Sequence, residues 1–252
     1  MNEKNETITV YLKIKNIIKL FIPVILTPNY LRKNFNLIFN KKKTKHHFEF
    51  NNQLFNRSAY INKAIQKFKN CKYLEIGCGN NKVFNTIPLK IKNKFGVDPV
   101  IGGNFRMKSD DFFKKYPRYK FDVIFIDGLH DYKQCQTDCL NAISRIKKNG
   151  IILLHDLLPR SFFEERKPVY QPNWAGSWCG DVWKVAVELT SSKNLEFKII
   201  NIDHGIGILK IKKNFEYKKI DKLKNQGFAE YLEYKKKFTI IDGERGLDFI
   251  AQ

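Results

Sequence analysis

Residues 73–81 read Tyr-Leu-Glu-Ile-Gly-Cys-Gly-Asn-Asn, and Gly96-Val97-Asp98-Pro99 follows after room for about one helix and one strand. An apolar run that stops at glycine is a buried strand entering a tight turn. Glycine at positions 77 and 79 lets the backbone take φ > 0 without steric cost and lets a ligand approach the bare main chain. The second strand ends in a carboxylate. Asp98 lies 21 residues beyond Gly77, close to the ~20 at which an acidic side chain meets a ribose in nucleotide-binding βαβ units. Position 82 is lysine, so the turn reads E-x-G-x-G and not G-x-G-x-x-G. That departure argues against NAD.

Two later segments repeat the pattern of an apolar strand ending in polar groups. Phe121–Ile126 stops at Asp127-Gly128-Leu129-His130-Asp131-Tyr132, and Gly150–Leu154 stops at His155-Asp156. Strands are expected at 73–76, 94–97, 123–126 and 151–154, with a weak one near 106–108. Alternation with helical segments implies a parallel sheet with right-handed crossovers. A late pair, 196–202 and 206–211, flanks Asp203-His204-Gly205, a hairpin-turn signal. Ahead of the first strand, Ile61, Ala64, Ile65 and Phe68 are spaced for one apolar helix face.

Taken together, Glu75–Gly79, Asp98, the D-G-x-H-x-Y run and the H-D pair resemble the class I S-adenosylmethionine-dependent methyltransferases. The likeness is strongest to the subgroup that includes sugar and small-molecule O-methyltransferases, and it covers roughly residues 73–212. The resemblance implies an α/β, Rossmann-like fold: a seven-stranded, mostly parallel sheet with a final antiparallel strand. Residues 56–212 would form the cofactor-binding domain, 1–55 a basic and apolar N-terminal extension, and 213–252 a C-terminal helical tail. Glu75, Gly77, Cys78 and Gly79 would bind the cofactor, with Gly77 and Gly79 under its methionine part, so a bulky residue at 77 would intrude on it. Asp98 would accept both ribose hydroxyls, with a helix N-cap before Pro99 as its structural alternative. Ser109 and Asp110 would meet the adenine amino group or form a plain cap, and Asp127 would complete the cofactor contacts.

Methyl transfer to oxygen needs a near-linear approach, a deprotonated acceptor and exclusion of water. A sugar hydroxyl is a very weak acid, so a base, a metal or both must assist. His130 is the base candidate, expected on the first turn of the helix after Asp127, because an imidazole near pKa 6.5 suits proton removal at neutrality. Its alternative is a capping role. Asp127 and Asp156, at neighbouring strand ends, would hold one Mg²⁺ with water and substrate oxygens. Metal-dependent relatives tend to carry two adjacent acids at the second strand end, and here the first is His155, so a metal-free mechanism stays open. The long segment Leu157–Gly180 would close over the acceptor, with Trp174 and Trp178 stacking on a sugar ring or anchoring the loop to the core.

The net charge of +21 is spread along a lysine-rich chain, with one run at 41–45. It fits a solvated basic surface, attraction to anionic membranes or acidic glycans, or nucleic acid; no RNA-binding module accompanies it, so no specific nucleic-acid partner is expected. The apolar, basic stretch at 13–33 is too short and too interrupted to span a bilayer. It suits packing on the core, a homodimer contact or peripheral attachment at the inner membrane face. Five dispersed cysteines without a C-x-x-C pair fit a reducing cytoplasm, and from the polar stretch 1–10 no signal peptide is expected. Cys135 and Cys139 share a helix face, as core residues or as a metal or redox pair. A nitrogen- or RNA-directed methyltransferase often carries Asn-Pro-Pro-Tyr or Asp-Pro-Pro-Tyr where this chain has Asp127-Gly128-Leu129-His130. A catalytically silent cofactor-binding protein is the rival from another class.

Overall fold

The structure, a computed structural model, describes residues 56–165 and 178–252. The stretch 13–33, the lysine run 41–45, His46, His47 and Trp174 lie outside the described residues. Helix α1 (Arg57–Gln66) is capped by the Asn56 side chain, which accepts from the Ser58 amide. It leads into β1 (Tyr73–Ile76), β2 (Lys94–Asp98) and β3 (Phe105–Arg106). Helix α2 (Ser109–Lys115), β4 (Phe121–Ile126), α3 (Tyr132–Arg145) and β5 (Ile146–Leu154) follow. Then come α4 (Phe162–Glu165), α5 (Trp183–Ser191), β6 (Lys193–Ile200), β7 (Ile206–Glu216), α6 (Phe228–Lys235), β8 (Ile240–Ile241) and α7 (Gly243–Ala251).

The strands form one sheet in the order β3-β2-β1-β4-β5-β7-β6-β8. The first five run parallel; β7 is antiparallel to both β5 and β6. The sheet therefore has eight strands and not the seven expected: the C-terminal tail, read as helical, adds β8 parallel to β6. Between β1 and β2 the expected helix is replaced by two short 3₁₀ turns, Phe84–Thr86 and Ile91–Asn93. Pro88 sits between them, and proline removes a helical hydrogen bond and clashes with the preceding turn.

Side chains alternate across the central strands and fill two cores. Leu74, Ile124, Ile152 and Leu154 face α3 and α5, with Trp183 fully buried among them. Tyr73, Val123, Phe125, Ile151 and Leu153 face α1 and α7, with Tyr60, Ile61, Phe249 and Ile250. A sheet covered on both faces explains the unbroken apolar runs of β1 and β4. Cys135 and Cys139 are buried core residues of α3, and the five cysteines are all free. No described helix is long and apolar enough to cross a membrane.

Candidate active site

The carboxyl ends of the parallel strands open onto two adjoining cavities. One, of about 630 Å³, is walled by Val97, Val100, Ile101, Leu129 and Ser109. The other, of about 590 Å³, is walled by Arg57, Glu75, His130, His155, Asp156 and Trp178. Gly77, Gly79 and Asp127 line both. An elongated molecule laid across the glycine turn would occupy an apolar chamber at one end and a charged one at the other.

The two glycines have different jobs. Gly77 has φ +83°, and a Cβ there would stand 2.1 Å from the Asp127 carbonyl oxygen. Its own amide donates to Val97 O at 2.9 Å. Gly77 is thus required for the close passage of the β1 and β4 ends, which corrects the expectation that a side chain there would enter cofactor space. Gly79 has φ +49°, and a Cβ there would meet nothing within 4 Å; the free space for a ligand is here. Cys78 contributes only its backbone, because its thiol packs against Gly96 and Gly103, and burial pushes the thiol pKa well up.

Asp98 does two things at once. It lines the apolar cavity, and its carboxylate accepts from the amides of Gly79 (2.9 Å), Val100 (2.8 Å) and Ile101 (2.9 Å). Ser109 also lines that cavity and accepts from Gln134 at 3.3 Å. Asp110 is not among the wall residues; it occupies the first turn of α2, where its charge complements the helix N-terminus. Glu75 is fully buried and accepts from the Tyr73 hydroxyl at 2.7 Å. Burial pushes its carboxyl up to about 7, against the lowering effect of that hydrogen bond.

His130 is not on the helix. Asp131 is the N-cap of α3, accepting from the Lys133 and Gln134 amides, so His130 sits in the loop that turns over the sheet edge. Its Nδ1 lies 2.7 Å from the Trp178 carbonyl oxygen, which can only accept, so Nδ1 carries a hydrogen. Its Nε2 is 3.0 Å from Asp156 Oδ2 and 3.7 Å from Asp127 Oδ1. A nitrogen facing two carboxylates holds a proton or a cation. Burial opposes charge on this ring, but Asp127 and Asp156 outweigh it and raise the His130 pKa. Trp178 also leans on the imidazole, ring centres 5.0 Å apart at 46°, so one of its faces is already taken.

His155, with a side chain 3% exposed, places Nδ1 at 3.1 Å from both Asp127 Oδ1 and Asp156 Oδ1. Burial opposes its charge as well, but the two carboxylates raise its pKa well above the ordinary value. Burial would push Asp127 up; instead His155, His130 and Arg57 hold its carboxyl far below the usual range. Asp156 has φ +62°, a left-handed backbone that costs a non-glycine residue about 1–3 kcal/mol and concentrates at functional sites.

Sequence reasoning missed three residues. Arg57, the first residue of α1, donates to Asp127 Oδ2 at 2.6 Å and Asp203 Oδ1 at 2.9 Å. Asp203 and His204 form the β6–β7 turn, both at φ > 0 with Gly205, as the hairpin signal predicted. The signal for their role was also in the chain. An antiparallel β7 that starts beside the end of β5 (Leu154 opposite Gly207) must place the preceding turn at the carboxyl edge. Burial pushes the His204 imidazole below its ordinary pKa.

Asp127, His130 and Asp156 offer three ligand atoms within 4.8 Å of one another. Two carboxylate oxygens suit a hard divalent cation, and the Nδ1–H···O=C bond to Trp178 is the outer-shell contact that orients ligating imidazoles. The two carboxylates therefore fit the Mg²⁺ expected from sequence, and the His130 ring faces the same point.

Residues 74–157, about a third of the chain, match the family model for a methyltransferase domain. Comparison with curated protein sequences gave no match. Similar solved structures include an O-methyltransferase from Bacillus cereus in complex with S-adenosylhomocysteine, at 8% identity and TM-score 0.43, covering 75% of this chain and 94% of that one. TomG, an O-methyltransferase of tomaymycin synthesis from Streptomyces achromogenes, has 9% identity and TM-score 0.42, with 71% and 96% covered. A Podospora anserina methyltransferase with bound S-adenosylhomocysteine has 17% identity and TM-score 0.40, with 84% and 97% covered.

Proposed function

We propose that this chain, whose residues 74–157 match a methyltransferase domain, transfers a methyl group from S-adenosylmethionine to a hydroxyl of a sugar or similar small polar molecule. The observation that carries this reading is His130. Its Nε2 stands among carboxylates in the charged cavity, next to the wall that Gly77, Gly79 and Asp127 share with the apolar one. The nucleoside fits between Val100, Ile101 and Leu129, with its ribose at Asp98. The sulfonium cofactor would supply an electrophilic methyl group, and Gly79 and Glu75 would hold its methionine part.

The acceptor fits the charged cavity, where Arg57, Asn80 and Lys82 offer donors to a hydroxyl-rich molecule. His130 in its deprotonated form takes the acceptor's proton at Nε2. Asp127 and Asp156 hold the ring in place and stabilise the imidazolium that results, while Trp178 fixes Nδ1 and shields one side from water. Calorimetry with S-adenosylhomocysteine, followed by S-adenosylmethionine turnover on a panel of glycosides, tests the reading. Binding and turnover are expected; no heat of binding would sink it.

If Mg²⁺ is bound, Asp127 and Asp156 would hold it and His130 Nε2 would stay free as the base; the ion would make a nearby hydroxyl more acidic. Chelator then abolishes turnover, added Mg²⁺ restores it, and S-adenosylhomocysteine binding persists because Asp98 and the apolar cavity are untouched. Turnover indifferent to chelator would leave the two acids as positioning groups for His130.

A further inference from the structure

Asp156 belongs to a second constellation. Asp156, Cys179 and His204 bring one oxygen, one sulfur and one ring nitrogen within 4.8 Å of one another. They come from three separate segments: the residues just after β5, the turn that leads into α5, and the β6–β7 turn. Asp156 and His204 line the charged cavity, which gives an ion a way in, and Cys179 is fully buried beside them. The amides of Cys179 and Gly180 both donate to Glu164 O at 2.9 Å, so the thiol is held by a pinned backbone. Glu164 Oε2 stands 3.7 Å from His204 Nδ1.

The chemistry of this set differs from that of the neighbouring one. A sulfur, an imidazole and a carboxylate select zinc-like transition ions, whereas magnesium shuns thiolate. Ligation at about 2.0–2.3 Å asks each donor to move inward by about an ångström, within reach of side-chain rotation. We infer that Cys179, His204 and Asp156 form a transition-metal site, distinct in selectivity from the catalytic cluster, and that a zinc-like ion there silences the enzyme by withdrawing Asp156 from His130. The bond that forms is metal to thiolate, and the thiol proton leaves to solvent, so binding is tighter at higher pH. The metal site rests on geometry alone; the silencing rests on the methyl-transfer reading.

Co²⁺ serves as the probe, on the full chain. Wild type is expected to show a thiolate-to-metal charge-transfer band in the near ultraviolet and one proton released per ion bound. Cys179→Ser keeps an O–H donor to Asp156 but removes the soft ligand. It should lose the band and bind Co²⁺ more than about 100-fold more weakly, beyond what losing an outer-shell partner costs. His204→Gln is the second variant, and should shift the band and weaken binding while leaving the fold, judged by melting, intact. In turnover assays with Mg²⁺ present, Zn²⁺ is expected to inhibit wild type and to spare Cys179→Ser. A Co²⁺ spectrum without the band, or equal Zn²⁺ inhibition of wild type and Cys179→Ser, overturns the proposal. Absence of any turnover with the band present would defeat the methyl-transfer reading and leave the metal site standing.

Discussion

Replacing His130 with alanine lowers kcat by about 10²–10⁴-fold, the usual share of a general base, and leaves the affinity for S-adenosylhomocysteine unchanged. The separation follows from where the side chain stands. His130 lines the charged cavity but not the apolar one, so its loss strips the acceptor's proton sink and leaves the nucleoside chamber whole. The pH profile adds a sign. The base must be deprotonated to act, and Asp127 and Asp156 raise its pKa against the effect of burial. The ascending limb of kcat/KM therefore lies above pH ~6.5, the value of an unperturbed histidine. Asp156→Asn removes one of the two carboxylates and should draw the limb back down, while His130→Ala should abolish it. An alanine variant that keeps most of its activity would shift the role of base to Asp127 or to a bound water.

The parts of this site that are legible in the sequence are those built from contiguous residues. Tyr73–Ile76, Phe121–Ile126 and Gly150–Leu154 are apolar runs that can only be buried strands, and the polar residues that stop them must surface at one edge. That logic places Gly79, Asp98, Asp127, His130 and Asp156 at one edge of the sheet, where they line the two adjoining cavities. The register of a loop is harder to read. The sequence expectation sets His130 on a helix, but Asp131 has the better N-cap side chain, and the helix starts after it.

What escapes the sequence is long-range pairing. Arg57 and Asp203 are separated by 146 residues, and nothing local in Asn56-Arg57-Ser58 marks an arginine that will neutralise two acids. His155 stands in the sequence where a metal ligand is missing; its ring instead bridges Asp127 and Asp156. Three carboxylates (Asp127, Asp156, Asp203) thus face Arg57 and two imidazoles with raised pKa. Acidic and basic side chains alternate through the cluster, which offsets the cost of burying them together. His204 could have been placed, because its turn precedes the strand that pairs antiparallel with β5.

Gly77→Val should destabilise the fold by about 2–6 kcal/mol, and Gly79→Ala should spare the fold but lose the cofactor. Both positions have φ > 0, which costs a side chain about 1–3 kcal/mol. The difference lies in what each Cβ meets. At Gly77 it meets the Asp127 carbonyl at 2.1 Å and the Gly128 Cα at 2.5 Å. These are backbone atoms that cannot give way without parting β1 from β4, and overpacking of that kind adds about 1–3 kcal/mol. For a domain of this size the sum lowers Tm by roughly 4–24 °C. At Gly79 the Cβ enters open space, so Tm falls by only a few degrees, but the added methyl stands between the two cavities where an elongated cofactor must cross. Calorimetry with S-adenosylhomocysteine on Gly79→Ala, beside melting curves for both variants, separates the two roles. Wild-type affinity in Gly79→Ala would mean that the cofactor does not cross the glycine turn there, and the assignment of the two chambers would fall with it.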